Sequence, residues 1–250
     1  MKPLGIISGT VVLQEKGGGA DLREETRETR FGPALVVRSS EVAFIPRHGT
    51  DPQRHILPHL INHPANMQAL KDLGVEEVIG VNSTGSLKRW LKPGMIVIPD
   101  DYLMPTPGPT VVREKPLHIT PALNAEVRQK LLEAARECTV EVIDRGIYWQ
   151  TAGPRLETRA EIAMMAQFAD LVGMTMACEA IIAQELEMPY ASLCSVDNFA
   201  HGIGDTQLSM EEITLHARRN AETILRILNC YLERSLRTAE RKSDPAATAS

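Results

Sequence analysis

Residues 78–86 read VIGVNSTGS, a short apolar run followed by small polar residues and a glycine. The run is apolar on both faces, which is typical of a parallel strand covered by helices on each side. Similar runs alternate with longer stretches of helical periodicity, and they lie at Leu4–Ile7, Leu35–Val37, Val42–Ile45, Met95–Ile98, Val140–Ile143, Leu171–Val172 and Tyr190–Val196. This alternation predicts one α/β domain with a central mixed, largely parallel sheet flanked by helices.

Helix signals separate these runs. Pro64 opens one helix and Gly74 ends it, Thr120-Pro121 opens a second, and Ser209 with Glu212 forms a capping box before a long third helix. The charged stretch Asp21–Arg30, together with the three glycines before it, is interpreted as a loop-like, mobile surface segment without a strand. We expect a single domain over residues 1–237 and a disordered polar tail over residues 238–250.

Composition excludes several classes of protein. The 250 residues include 27 Lys and Arg against 32 Asp and Glu, a net charge of −5, and no segment forms the basic stripe of a nucleic-acid-binding protein. The sequence contains no apolar run approaching the ~20 residues that span a membrane. The four cysteines are widely spaced and predict reduced thiols in a cytoplasmic protein. Neither the cysteines nor the seven histidines show metal-ligand spacing.

Polar turns follow four of the predicted strands: Ser8-Gly9-Thr10, Arg47-His48-Gly49, Asn82–Ser86 and Gly173-Met174-Thr175. In α/β sheets, ligands bind beyond the carboxyl ends of the strands. Hydroxyl groups, free backbone N–H groups and one guanidinium together suit an anion such as phosphate. Each turn alone is more often only a turn. Neither a P-loop nor a dinucleotide fingerprint is present in the sequence.

A second group of candidate residues combines Ala152–Thr158 with Ser195–Phe199. Glu157 fits either a ligand-binding carboxylate or an inert carboxylate in the first turn of a helix. Asp197 and Asn198 are compatible either with contacts to a ligand or with a turn whose backbone their side chains stabilise. The residues alone leave both alternatives open.

Several motifs, in order and at compatible spacing, resemble the trimeric purine nucleoside phosphorylase and methylthioadenosine phosphorylase family from Gly5 to about Leu232. The motifs are Gly5–Thr10, Arg47-His48-Gly49, Ile61–Asn66, Gly85-Ser86-Leu87, Gly153–Thr158 and Val172–Thr175 with Glu179. The resemblance implies the nucleoside phosphorylase fold, a homotrimer, and a pentosyltransferase of purine salvage. Such enzymes cleave a purine nucleoside with inorganic phosphate as co-substrate and need no cofactor.

The resemblance also implies roles for individual residues. Phosphate would be held by Thr10, Arg47, His48, Ser83 and Thr175. The purine and ribose would contact Tyr148, Leu156, Glu157, Met174, Asn198 and Met210. Glu157, Asn198 and His48 would form the catalytic set, and His118 would reach the site of a neighbouring subunit.

The hydrogen bonds that Glu157 can form indicate which purine base would bind. An ionised Glu157 only accepts, so it suits the N1–H of a 6-oxopurine and opposes the bare N1 of adenine. A one-residue slip would place Asp197 where Asn198 is expected and would restore an aminopurine. At the sugar end, Met210 suits a 5′-methylthio group, or else packs in the core.

The favoured substrate is therefore S-methyl-5′-thioinosine, because Glu157, Asn198 and Met210 resemble the phosphorylases specific for it. Two alternatives keep the fold: a methylthioadenosine phosphorylase, or a general inosine and guanosine phosphorylase. A third alternative is a catalytically weak nucleotide- or phosphate-binding protein, because Val11 stands where relatives usually have a glycine.

Overall fold

The computed structural model of the chain describes residues 2–9, 22–114, 116–205 and 209–243. Ten strands form one sheet: β1 (Leu4–Ser8), β2 (Arg23–Thr29), β3 (Gly32–Arg38), β4 (Val42–Pro46), β5 (Val78–Ser86), β6 (Ile96–Val97), β7 (Asp101–Leu103), β8 (Ile147–Gln150), β9 (Leu171–Gly173) and β10 (Tyr190–Phe199). The helices are α1 (His63–Asp72), α2 (Ala125–Glu137), α3 (Arg159–Met165), α4 (Met176–Glu185) and α5 (Met210–Ser243).

Helices cover both faces of the sheet, as the apolar strands predict. Successive residues of a strand point to opposite faces. Ile7 of β1 accordingly belongs to a core with Met67 of α1 and Met176 of α4. Its neighbour Ile6 belongs to a second core, which contains Leu131 of α2 and Ile227 of α5. The central strands are therefore buried on both sides and hold a rigid frame for the loops at their ends.

The sheet runs in the order β2-β3-β4-β1-β5-β9-β8-β7, with β10 paired to β5 and β6. Strands β1, β4, β5 and β10 are mutually parallel neighbours, whereas β9 is antiparallel to β5. The predicted mixed, largely parallel sheet is confirmed. At one end the sheet stops at β2, which pairs antiparallel with β3.

Strand β5 is longer than predicted, because Asn82–Ser86 continues the strand and does not form a turn. One edge of β5 pairs with β10 as far as Ser86. On the other edge, β1 pairs with β5 only as far as Gly80, and β9 pairs with it from Gly85. No strand of the described residues pairs with positions 81–84 on that edge. The sheet therefore has a gap there.

Helix boundaries match the capping chemistry. The Asn62 side chain accepts a hydrogen bond from the N–H of Ala65 at the start of α1. Helix α2 begins at Ala125, later than the predicted Thr120, because the side chain of Asn124 caps it by accepting from Val127. Helix α5 begins at Met210 and continues to Ser243, six residues into the segment predicted to be disordered.

Two other expectations about the strands are wrong. The charged stretch predicted as a surface segment contains β2, an exposed edge strand with no apolar face for sequence periodicity to detect. The strand predicted at Val140–Ile143 is reduced to one bridge between Ile143 and Val97. Strands β7 and β8 were not predicted, since both are short and carry polar residues.

Candidate active site

A cavity of about 540 Å³ lies at the gap beside β5. Residues from β5, β10 and the loops after β1, β4 and β9 meet on its walls, as expected for a site at strand ends. The structure brings many of the predicted site residues to this one cavity: Arg47, His48, Ser83, Leu156, Glu157, Met174, Thr175, Asp197 and Asn198. The two predicted groups of residues therefore belong to one site.

Arg47 follows β4 and lies 3% exposed on the cavity wall. Its Nη1 donates to the carbonyl of Val81 at 2.8 Å, and its Nη2 donates to the carbonyl of Ile7 at 2.7 Å. Its Nε lies 2.7 Å from Oε1 of Glu179, which is 1% exposed. Nη2 also donates to Oε2 of Glu179 at 3.3 Å. The guanidinium is therefore fixed from within the protein, with one Nη1 hydrogen left over.

Glu179 of α4 is the counter-ion of this guanidinium. Burial raises the pKa of its carboxyl, and the positive charge of Arg47 opposes that rise. The Tyr190 hydroxyl also donates to Glu179 Oε2 at 2.8 Å. Nε of Arg47 and Oε1 of Glu179 are in ionic contact without a hydrogen bond between them, so the hydrogen bonds from Nη1 and Nη2 fix the position of the cation on the cavity wall.

His48 stands beside Arg47 as a neutral imidazole. Its Nδ1 lies 2.7 Å from the carbonyl oxygen of Ile56, which can only accept, so Nδ1 carries the hydrogen. Burial and the charge of Arg47 lower the pKa of His48 to about 4. The ring also stacks on His55 with centroids 4.5 Å apart. At neutral pH, Nε2 of His48 is therefore a hydrogen-bond acceptor.

Thr175 lines the cavity immediately before α4. Its Oγ1 accepts a hydrogen bond from Nδ2 of Asn82 at 2.8 Å, so its hydroxyl hydrogen remains free to donate to a ligand. The first N–H groups of the helix are occupied by other residues. Thr175 N and Met176 N donate to the Tyr148 hydroxyl, and Ala177 N donates to Oε1 of Gln150.

Tyr148 does not line the cavity, contrary to the expected sugar contact. It is 0% exposed in β8, because the sheet and α4 enclose its ring. Its hydroxyl accepts from Thr175 N at 3.1 Å and from Met176 N at 3.4 Å. A Cβ added at Gly173 would lie 2.5 Å from this hydroxyl oxygen, so the turn requires a glycine there. Tyr148 supports the turn from below.

Glu157 lies across the cavity, before α3, and is half-buried. Its Oε1 accepts a hydrogen bond from the Thr151 hydroxyl at 2.7 Å, which orients the carboxylate. Leu156 beside it is 42% exposed and lines the same wall. Met174 faces this loop, since a Cβ added at Gly153 would lie 2.6 Å from its sulfur. This end of the cavity combines one acceptor group with apolar surface.

Asp197 and Asn198 lie at a bulge in β10. Val196 pairs with Thr84 and Asn198 with Gly85, so Asp197 is the extra residue. Asp197 is 0% exposed, and its carboxyl accepts from Ser195 at 3.0 Å and from Asn220 at 2.8 Å. Burial raises its pKa, while hydrogen bonds from Ser83 and Asn220 oppose the rise.

Asn198 stands close to β5, because a Cβ added at Gly85 would lie 3.1 Å from its Nδ2. One hydrogen of Nδ2 is donated to the carbonyl of Phe199 at 2.9 Å. The side-chain oxygen and the second amide hydrogen remain available to a ligand in the cavity.

Three further predicted residues are not placed on the cavity wall by the structure, and the roles of all predicted site residues stay predictions. Thr10 lies outside the described residues, and so does the side chain of Met210, although Met210 begins α5. His118 is exposed and is not on the cavity wall described here, so its contact with a neighbouring subunit stays a prediction. No group of three or more potential metal ligands occurs in the described ranges.

Sequence reasoning missed two functional candidates. The motif that contains Glu179 predicts no role for it, and no motif contains Asn220. A signal for each exists in the sequence. Glu179 is an acid within the apolar segment Met176–Ala183, and Asn220 lies beside Ala221 on the apolar face of α5. A lone polar residue on a buried face needs a partner.

Comparison with known proteins agrees with this geometry. The sequence profile of the Phosphorylase superfamily matches residues 3–233. A probable 6-oxopurine nucleoside phosphorylase of Archaeoglobus fulgidus is 44% identical over 230 residues, which cover 90% of this chain and 93% of that protein. A probable S-methyl-5′-thioinosine phosphorylase of Methanocaldococcus jannaschii is 37% identical over 239 residues, with 92% and 91% covered.

The fold is also that of a solved enzyme. Methylthioadenosine phosphorylase from Schistosoma mansoni, in complex with adenine, superposes with a TM-score of 0.86 and 26% identity. The match covers 96% of this chain and 92% of that one. Among the described residues, no helix is long and apolar enough to cross a membrane.

Proposed function

The chain belongs to the Phosphorylase superfamily, and we propose that it catalyses the phosphorolysis of a 6-oxopurine nucleoside. The favoured reaction converts S-methyl-5′-thioinosine and phosphate to hypoxanthine and 5-methylthioribose 1-phosphate. One observation carries the proposal. A guanidinium and a donor hydroxyl (Arg47, Thr175) share a single cavity with a carboxylate and a carboxamide (Glu157, Asn198).

Glu157 and Asn198 support an oxopurine. The Glu157 carboxylate accepts from N1–H of hypoxanthine, but it would face the lone pair on N1 of adenine. The Asn198 oxygen accepts from a protonated N7, and its remaining amide hydrogen donates to O6. The aminopurine alternative requires the Asp197 carboxyl to form a hydrogen bond with the purine in place of Asn198. Both oxygens of that buried carboxyl are already engaged by Ser195 and Asn220, which favours Asn198 instead.

Phosphate enters at the other end of the cavity. The Thr175 hydroxyl and the remaining Nη1 hydrogen of Arg47 donate to its oxygens. The neutral His48 accepts at Nε2 the hydrogen of monohydrogen phosphate. Thr10 and Ser83 complete this group of ligands in our proposal, which requires the Ser83 hydroxyl to turn from Asp197 to the phosphate.

The reaction needs no covalent enzyme intermediate. The bond between C1′ and N9 lengthens, and the sugar acquires oxocarbenium character, which the phosphate dianion below it stabilises. Electrons of the breaking bond pass into the purine, where Asn198 stabilises the protonated or developing anionic base. A phosphate oxygen then bonds to C1′, and the proton that monohydrogen phosphate releases balances the one that the departing purine takes up. Catalysis rests on positioning and electrostatic stabilisation, which are most effective where water is excluded.

The 5′ end of the sugar is assigned to the wall formed by α5. Ile213 and Ala217 line the cavity there, and apolar side chains favour a 5′-methylthio group over a hydroxyl. The role of Met210 in this wall remains part of the proposal. A general inosine and guanosine phosphorylase is the alternative if this wall does not discriminate.

Assembly and location extend the proposal. By family resemblance we propose a homotrimer in which His118 contacts a neighbouring site, and a role in purine salvage in the cytoplasm. Light scattering during size-exclusion chromatography measures the assembly directly. A monomer with full activity would contradict the trans role of His118.

The activity test uses four nucleosides: methylthioinosine, methylthioadenosine, inosine and adenosine, each with and without phosphate. Chromatography identifies the released base. We expect phosphate-dependent release of hypoxanthine, fastest from methylthioinosine. Release of adenine from methylthioadenosine at a higher kcat/KM would overturn the oxopurine assignment. Absence of release from every nucleoside would instead favour a binding protein.

A further inference from the structure

Asn220 is a buried polar residue on the inner face of α5. It is 3% exposed, and its neighbours on that face, Ala217, Ala221 and Ile224, line the cavity. Its Nδ2 donates to Asp197 Oδ1 at 2.8 Å and to the carbonyl of Val196 at 3.2 Å. Both acceptors belong to β10, so one amide joins the helix to the strand.

The same contacts lie at the β10 bulge. Asp197 is its extra residue, and the second oxygen of its carboxyl accepts from Ser195 at 3.0 Å. A bulge re-aims the side chain that follows it, since an extra residue changes which face that side chain occupies. Here the side chain that follows is Asn198, which the bulge directs toward Gly85 and the cavity.

We propose that Asn220 is a positioning residue, which through Asp197 holds the β10 bulge and thereby the Asn198 carboxamide against the purine. The inference rests on the proposed function, because it assumes that Asn198 contacts the leaving base. The inference adds that helix α5 and strand β10 move as one unit. Changes at Asn220 should therefore affect departure of the base more than binding of phosphate.

The test replaces Asn220 by aspartate. Asn220→Asp places two carboxyl groups at hydrogen-bond distance and removes the donor to Val196, which displaces the bulge. We expect kcat for methylthioinosine to fall about 100-fold, because a small displacement of a reacting group costs that much. The KM for phosphate should change less than about threefold.

A second substitution then reverses the effect. In the double variant Asp197→Asn with Asn220→Asp, an amide again faces a carboxylate, with the roles exchanged. We expect it to recover about tenfold of the lost kcat, a coupling of the size found for contacting residues. Asn124→Asp is the matched control, since Asn and Asp cap a helix equally well, and this cap lies at α2.

Three results would overturn the inference. They are an Asn220→Asp variant with unchanged kcat, no recovery of kcat in the double variant, or a rise in the KM for phosphate as large as the fall in kcat. If Asn220→Asp does not fold, Asn220→Ala decides. This variant removes the donor to Asp197 and Val196 without adding a charge, so it should lower kcat severalfold at constant phosphate KM, and an unchanged kcat would overturn the inference. If the unmodified protein cleaves no nucleoside, the proposed function has failed. A double-mutant cycle on thermal stability then still tests the contact between positions 197 and 220.

Discussion

The Tyr148 hydroxyl accepts hydrogen bonds from the backbone N–H groups of Thr175 and Met176, at 3.1 and 3.4 Å. A buried phenol thus occupies the amino end of α4, where an anion would otherwise find free N–H donors. In the proposed function, the phosphate ligand at this helix end is therefore the side chain of Thr175, and the tyrosine holds the backbone that carries it. This arrangement makes Tyr148 a supporting residue whose effect on phosphate can be measured.

Tyr148→Phe should weaken both stability and phosphate binding. Removing the hydroxyl leaves two buried N–H groups unsatisfied, which costs about 1–3 kcal/mol in the free energy of unfolding. We also expect the KM for phosphate to rise severalfold, because Thr175 loses its support. Urea denaturation and initial rates measure the two effects. The control is Tyr102→Phe, since no described residue forms a hydrogen bond with the Tyr102 hydroxyl. Equal losses in both variants would contradict the prediction.

Glu179→Gln should be strongly destabilising. The change leaves the guanidinium of Arg47 buried without its counter-ion, and breaking such a pair costs about 3–5 kcal/mol. Thermal unfolding with and without phosphate measures the loss. We expect added phosphate to restore part of it, because the anion supplies a negative charge near Arg47. Glu187→Gln, an exposed change just after the same helix, is the control and should have little effect.

Glu157→Gln should change the choice of base. An amide can donate to N1 of adenine, whereas a carboxylate cannot. We expect kcat/KM for methylthioinosine to fall about 100-fold or more, since a site built for hydrogen bonds discriminates strongly. The value for methylthioadenosine should fall less or rise. Competition between the two nucleosides, followed by chromatography of the bases, measures the ratio, and an unchanged ratio would remove Glu157 from base recognition.

Stability should fall in mild acid. Burial and Arg47 lower the pKa of His48 to about 4 and that of His63 to about 3. An unfolded histidine titrates near pH 6.5, so below that value the unfolded chain binds protons that the folded chain does not, and unfolding becomes more favourable. Above about pH 7 both states are neutral and the effect is absent.

For His63 alone, the loss is about 2 kcal/mol at pH 5. His63→Leu should therefore flatten the dependence of the melting temperature on pH between about 7 and 5. His59→Gln, at an exposed histidine, is the comparison and should leave the slope unchanged. A His63→Leu protein with the original slope would show that this histidine is not titrated differently on unfolding.

The sequence predicted most of the central fold, because buried strands and capped helices have local signals. Val78–Val81 and Leu4–Ile7 are apolar on both faces, and Pro64 marks a helix start that the structure reproduces. Edge strand β2 has no such signal, since both of its faces are polar or exposed. The end of β5 was misjudged because small polar residues look like a turn, while pairing with the distant β10 keeps them extended.

The site was predictable as a set of residues but not as a network. The motifs brought Arg47, Glu157 and Asn198 into one list, and the structure brings them to one cavity. Whether a residue faces the ligand or stands behind it depends on tertiary packing. Tyr148 shows this, because its aromatic ring could fit either place until β8 and α4 enclose it. The partners of Asp197 likewise come from its own strand, from α5 and from the distant strand β5, as Ser195, Asn220 and Ser83 respectively.

The charged strand β2 at the end of the sheet has a consequence for behaviour in concentrated solution. Within residues 2–9, 22–114, 116–205 and 209–243, no strand pairs with the outer edge of β2. A strand edge left unpaired invites another copy to add its own backbone and start an aggregate. The sequence REETRET at Arg23–Thr29 places positive and negative charges along this edge of β2. A strand of a second copy could pair with the edge only by desolvating these charges. The protein should therefore stay dispersed at high concentration, and replacing these charges with valines would make it precipitate.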